Sequence, residues 1–138
     1  MKERVFVTES ADFEAACQIG IFPESHRARA LHGHSYKASI RLAIDGAEND
    51  NFDQLAVKRE LLQYTCCLLD YSYLNEIIDV PTDENIARYI KEQTGLSNVN
   101  VIGLTSQSNE GVHLDEFGAA HVWRRFRFES AHRLPNVP

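Results

Sequence analysis

The sequence predicts an α+β domain: an antiparallel four-stranded sheet with two helices on one face, in the order ββααββ plus a C-terminal extra strand. Three observations carry this. Tyr36, Ala38, Ile40, Leu42 and Ile44 alternate with Ser35, Lys37, Ser39, Arg41 and Ala43, the period-two pattern of a half-buried strand. Val57, Leu61, Tyr64 and Leu68 then recur at helical spacing, and Ile86 and Ile90 do so again. Hairpin-like segments on both sides of a helix pair place the helices on one face of an antiparallel sheet.

The elements follow in order. Val5-Phe6-Val7 and Phe13 to Cys17 read as a first extended segment, and His34 to Asp45 as the second strand. Asp45 to Asn51 is polar and turn-prone. A helix over Asp53–Leu69 takes Asp53 as N-cap, with Val57, Leu61, Tyr64 and Leu68 as its apolar face, widened by Leu62, Cys66 and Leu69. The second helix follows Pro81. Thr82 is its N-cap, Asp83 and Glu84 sit where the helix dipole favours negative charge, and Gly95 ends it. Val99, Val101 and Gly103 alternate with Asn100 and Ile102 as a third strand, and Gly111 to Leu114 is the return leg of a hairpin. His121 to Phe128 alternates once more.

The 138 residues fit one domain, with no apolar run near the ~20 residues that span a bilayer. No signal-peptide stretch opens the chain, so the expectation is a cytoplasmic protein without membrane contact. Three cysteines without a Cys-x-x-Cys pair argue against a disulfide scaffold or a thiolate zinc site. Residues 1–120 carry 10 basic and 19 acidic side chains, whereas residues 121–138 carry four arginines and one glutamate. An acidic body of this kind excludes general nucleic-acid binding, which needs a basic face to displace counterions. An open antiparallel sheet has edges to cover, and a homo-oligomer joined through those edges is the expected solution.

Leu31-His32-Gly33-His34-Ser35-Tyr36 is the most informative hexapeptide. Histidines at i and i+2 of an extended backbone point to one face, and Gly33 between them lets the chain bend. Two imidazoles can then reach one zinc at about 2.0–2.1 Å, although a catalytic zinc normally keeps three protein ligands. Two surface histidines at a strand start would show the same spacing.

Over residues 13–105 the chain resembles the 6-pyruvoyl-tetrahydropterin synthase and 6-carboxytetrahydropterin synthase family. The matching pieces are Phe13-Glu14-Ala15-Ala16, Leu31 to Tyr36, Asp53 with Lys58, Leu69-Asp70 with Tyr73-Leu74-Asn75, and Pro81-Thr82-Asp83-Glu84-Asn85. The resemblance implies the T-fold, in which subunits join sheets into a barrel with active sites between subunits. It also implies a pterin substrate, 7,8-dihydroneopterin triphosphate, and a zinc cofactor held by three histidines. In the family a cysteine acts as base, an Asp-His pair assists proton transfer, and a glutamate anchors the pterin.

Transferred residue by residue, these roles fall unevenly. His32 and His34 match two zinc ligands, but Cys17 stands at the first ligand position. A thiolate there could bind zinc; a small buried core cysteine fits the position equally well. Ala28 stands where the cysteine base belongs, Tyr71 replaces the histidine beside Asp70, and Leu104 replaces the anchoring glutamate before Thr105. Asp70 is retained as a catalytic candidate and Thr105 as a substrate-binding one. With the cysteine and histidine gone, proton transfer lacks its usual agents, and little or no turnover is expected from this chain alone.

Phe128-Glu129-Ser130-Ala131-His132 resembles Phe13-Glu14-Ala15-Ala16-Cys17 at an offset of 115 residues, with the family histidine intact at His132. Residues 1–120 are thus expected to form a degenerate pterin-synthase-like domain, and residues 121–138 a strand resembling the start of a second copy. Three readings stay open: the degenerate N-terminal half of a tandem synthase, a complete zinc-binding pterin module using His32, His34 and His132, or a pure assembly protein.

Overall fold

The computed structural model describes residues 4–45, 50–95 and 101–136. Two fourteen-residue strands, β1 (Arg4–Cys17) and β2 (His32–Asp45), pair antiparallel along their whole length. His32 and Gly33 lie inside β2, so the strand starts two residues earlier than the alternation from His34 suggested. Helix α1 (Asp50–Leu69) leads into a two-residue strand β3 (Ser72–Tyr73) and a 3-10 turn at Leu74–Glu76. Helix α2 (Asp83–Thr94) is followed by β4 (Val101–Gln107), β5 (Glu110–Leu114) and β6 (Ala120–Arg124). The sheet has six strands in the order β3-β1-β2-β4-β5-β6, antiparallel except for the β3–β1 bridge.

The α+β architecture with one helical face is as expected, including the extra C-terminal strand, here β6; the two-residue edge strand β3 is an addition. Phe13, Ala15 and Cys17 of β1, Tyr36, Ala38 and Ile40 of β2, and Leu104 and Val112 beyond them form the buried sheet face. Both helices pack on it. The caps of α2 fall where the residue types put them. The Thr82 hydroxyl accepts from Asn85 N–H, and Gly95, at φ 61°, adopts the left-handed turn that glycine tolerates.

Three expectations are corrected. Helix α1 starts at Asp50, so Asp53 lies inside it, and its buried stripe is Leu55, Leu62, Cys66 and Leu69. Val57, Leu61, Tyr64 and Leu68 are exposed instead. The helix carries two apolar stripes at 3–4 spacing, and contact with the sheet selects the other one. In β4 the buried residues are Ile102, Leu104 and Ser106, opposite in phase to the alternation through Val101 and Gly103; Val99 lies outside the described residues. The last strand ends at Arg124, and residues 125–136 carry neither helix nor strand. Phe126 and Phe128 there are 81% and 88% exposed, so no sheet or helix face recruits their alternation.

The rotated helix face has a measurable consequence. Leu62→Ala is expected to lower unfolding free energy by about 2–5 kcal/mol, because it opens a cavity under α1. Leu68→Ala, half exposed, should cost under about 1 kcal/mol in the same denaturant titration. Equal losses would contradict this packing.

Candidate active site

The antiparallel register sets Cys17 opposite His32, Ala15 opposite His34, and Phe13 opposite Tyr36. All lie on one face of the sheet: Phe13, Ala15, Cys17 and Tyr36 belong to the buried core, and the half-buried His32 and His34 stand at its border. Phe13 and Tyr36 stack with ring centres 4.9 Å apart, fixing Tyr36 so that its hydroxyl reaches Cys17 Sγ at 3.5 Å. His32 Nε2 lies 3.6 Å from the same sulfur, and His32 Nδ1 lies 2.8 Å from the Ala30 carbonyl. The His34 ring stands edge-on to His32, with centres 4.9 Å apart, and edge-on to Tyr36.

These side chains floor a cleft of about 610 Å³. One wall is the start of α2, with Thr82, Asp83 and Glu84; another is the β4–β5 turn with Ser106 and Glu110; Trp123 and Arg124 of β6 close a third side. The Cβ that Gly111 lacks would stand 2.7 Å from the Trp123 ring and 2.5 Å from the Leu104 carbonyl, so only glycine admits this indole. The segment carrying His26 to Ala28 also lines the cleft. It is held by Ile19 N–H on the Ala28 carbonyl, Ala28 N–H on His26 Nδ1, and Arg29 on the Gly20 and Phe22 carbonyls.

Electrostatics follow from the half-buried setting. Burial, then the neighbouring His32, holds the His34 imidazole below its ordinary value. Burial raises the Cys17 thiol, opposed by the Tyr36 hydroxyl, and pushes the Tyr36 phenol far up. The Asp83 carboxyl is likewise raised by burial, against a hydrogen bond donated by Ser106 Oγ at 2.6 Å. Neighbouring Glu110 adds to that rise and itself pairs with Arg124 at 3.2 Å.

Of the expected site residues, the structure brings together His32, His34 and Cys17. Ala28 lines the same cleft as the two histidines. His132 lies in the exposed tail, and among the described residues no three His, Cys, Asp or Glu side chains close into a metal cage. Thr105 lines a separate depression with Arg41 and His113, and Leu104 is buried in the core.

Asp70 contacts the backbone. Its Oδ1 accepts from Glu14 N–H at 2.8 Å while Tyr71 N–H donates to the Glu14 carbonyl, and Asn75 grips both polar groups of Gln18. These contacts fix the stretch of β1 that carries Cys17. Asp70→Ala should therefore lower stability by about 1–2 kcal/mol in denaturant titration, and an unchanged midpoint would refute this positioning role. Tyr71 pays for the turn with φ 55°, a left-handed conformation that costs a bulky residue about 1–2 kcal/mol.

Sequence reasoning placed Asp83 as a helix-start charge within a family-like segment, without a site role, and left Ser106, Glu110 and Trp123 without one. A buried-type alternation ending in a serine opposite an acidic helix start is the signal that could have joined them.

The sequence model of 6-pyruvoyl tetrahydropterin synthase matches residues 6–102. An Archaeoglobus fulgidus protein named as a 6-carboxy-5,6,7,8-tetrahydropterin synthase is 29% identical over 114 residues, covering 80% of this chain and 93% of that protein. A Pyrococcus furiosus dihydroneopterin monophosphate aldolase is 33% identical over 95 residues, covering 67% of this chain and 75% of that protein. The Caenorhabditis elegans 6-pyruvoyl tetrahydropterin synthase shares the fold, with TM-score 0.65 at 14% identity over 91% of this chain and 98% of the other. Sequence match, T-fold and the His-Gly-His strand facing a cleft agree: this chain belongs to the 6-pyruvoyl tetrahydropterin synthase family.

Proposed function

We propose that the chain binds a dihydropterin in the cleft above His32 and His34 and, as the degenerate half of a tandem synthase, turns it over slowly or not at all. The observation that carries this is the cleft itself, which keeps two family histidines on its floor and supplies a half-buried carboxylate, Asp83, on its wall. Asp83 is the group this reading assigns to the amino-pyrimidine edge of the pterin. It takes the role that Leu104, packed in the core, has lost. Charge-assisted bonds from ring N–H groups to a carboxylate in a half-buried site are the strong kind, worth about 1.5–3 kcal/mol.

Zinc is the cofactor of this reading, and His32 and His34 are the residues that would hold it. Bound there, it would act as a Lewis acid on the substrate's side-chain oxygens. The chain's own residues then bind and orient, but they do not move protons well. Ala28 offers no thiol, and Tyr36 holds its proton too tightly to serve as a base near neutral pH. The two edges of the sheet, at β3 and at β6, are where a second copy, or a second domain, would extend it. The likeness of residues 128–132 to residues 13–17 supports the tandem reading.

The test is zinc analysis together with turnover of 7,8-dihydroneopterin triphosphate. About one zinc per chain, reduced in His32→Ala and in His34→Ala, with product formation near background, is the expected result. Rapid turnover by the chain would overturn the degenerate reading. The dihydroneopterin monophosphate aldolase relative makes the monophosphate the second substrate to assay.

A further inference from the structure

The geometry points to a second binding site, on the sheet face opposite the helices: a hollow over Gly103 that takes a phosphate-type oxyanion between Arg41, His113 and the hydroxyls of Thr8, Ser39 and Thr105. Apart from the Trp123 indole along one side, its lining is not that of the cleft, and it does not rest on the pterin reading.

The sheet register builds the hollow. Alternation puts Thr8, Ser39, Arg41, Thr105 and His113 on the face away from the buried Ala38, Ile40, Leu104 and Val112. Thr8 stands opposite Arg41 across β1 and β2, and Ser39, Gly103 and His113 form one row across β2, β4 and β5. Two strand spacings, about 9–10 Å, therefore separate Ser39 from His113, and Gly103 puts no side chain between them. A Cβ on Gly103 would meet Ser39 Oγ at 2.5 Å, so the hydroxyl already leans into that gap. The resulting depression measures about 320 Å³.

An antiparallel sheet commonly turns one polar face to water, and polarity alone marks no site. Here the polar groups are of one kind. The chain carries 20 acidic side chains against 14 basic ones, yet among the described residues no carboxylate lines this hollow. Asp12, on the same face, stands opposite Lys37 instead. Among the described residues Arg41 has no ion pair; its guanidinium lies 5.2 Å from the Phe6 ring centre, a contact that leaves its N–H donors open. The hydroxyls of Thr8, Ser39 and Thr105 make no side-chain hydrogen bond among these residues either. His113 is oriented from the far side. Its ring stacks on His121 with centres 4.6 Å apart and planes 6° apart, and His121 Nε2 is tied to Asp115 at 2.8 Å. In either neutral tautomer His113 keeps one N–H to donate. A planar guanidinium fork, an imidazole N–H and three hydroxyls, with no competing anion, form a donor set that a tetrahedral oxyanion satisfies.

Titrating sodium phosphate at constant ionic strength into the full isotope-labelled chain, followed by amide NMR, tests the site. Signals of Arg41, Gly103 and His113 should shift saturably with a Kd of about 1 mM. Arg41→Gln should weaken binding by at least about 10-fold. Arg41→Lys, which keeps the charge without the fork, should recover part of the affinity, which guards against a folding defect. Arg88→Gln makes the same charge change on α2 and should leave binding unchanged. Adenosine monophosphate in place of phosphate separates the two sources of the dianion. Tighter binding assigns the site to a phosphate ester whose ring packs on Trp123; equal or weaker binding assigns it to free phosphate. Shifts that grow without saturation, that gather at Arg27 and His32 in the cleft, or that persist equally in Arg41→Gln overturn the site.

Discussion

Combining Cys17→His, Ala28→Cys and Tyr71→His is expected to raise turnover of 7,8-dihydroneopterin triphosphate by at least about 100-fold over the natural chain, the lower end of what a positioned acid or base contributes. The expectation rests on position. Ala28 lines the cleft with His32 and His34, and its backbone is held on both polar groups, so a thiol at residue 28 enters a preformed site. A histidine at residue 71 tolerates the left-handed backbone better than tyrosine does, and it restores the neighbour of Asp70. Ala28→Cys alone should give a smaller rise, because the other groups act with it. Product quantified by chromatography reads the result. A triple variant that binds zinc and pterin yet stays at background would show that the missing proton-transfer groups are not what silences the chain.

Asp83→Ala is expected to weaken pterin binding by about 10–100-fold, the loss of one charge-assisted contact in a half-buried site. Thr105→Ala should leave affinity unchanged, since Thr105 lines a different depression. The pair of variants separates the cleft described above from the arrangement expected from residue order alone. The ionised carboxylate is the binding form, and burial raises its pKa above the ordinary 3.8. Affinity is therefore present above that raised pKa and falls as pH drops through it, at a higher pH than an exposed aspartate would give. Asp83→Asn should bind more weakly at neutral pH and lose this acid limb. Calorimetric titration across the acid range measures both effects; equal affinity in Asp83→Ala would remove Asp83 from the site.

Local pattern made most of the architecture readable. Alternation from Tyr36 onward marked β2, and Thr82 and Gly95 bracketed α2, because caps and period-two burial are properties of a few neighbouring residues. What local pattern could not decide was which face of α1 is buried. Leu61 and Leu62 are adjacent in sequence, both are leucine, and only the sheet beneath the helix selects Leu62. The same limit applies to residues 125–128, where the alternation continues after the sheet has ended at Arg124.

The site divides similarly. His32 and His34 were legible as a pair because two residues on one strand share a face. Cys17 was legible as a position but not as a partner; its meeting with His32 and Tyr36 follows from the β1–β2 register. Asp83 and Ser106 lie 23 residues apart, on a helix start and a strand end, and only the packing of α2 on the sheet joins them. For Asp70 the fold adds a contact that its motif did not announce: Oδ1 accepts from the Glu14 N–H of β1.

The central claim is that the cleft over His32 and His34 binds a dihydropterin. Trp123 is the chain's single tryptophan and lines that cleft, so its emission reports directly on occupancy. Titrating 7,8-dihydroneopterin triphosphate into the zinc-loaded chain, with correction for the ligand's own absorbance, should quench Trp123 saturably as one site below about 1 mM. The same titration on Asp83→Ala should shift to higher concentration. Emission that stays unchanged through that range in the natural chain would contradict the account.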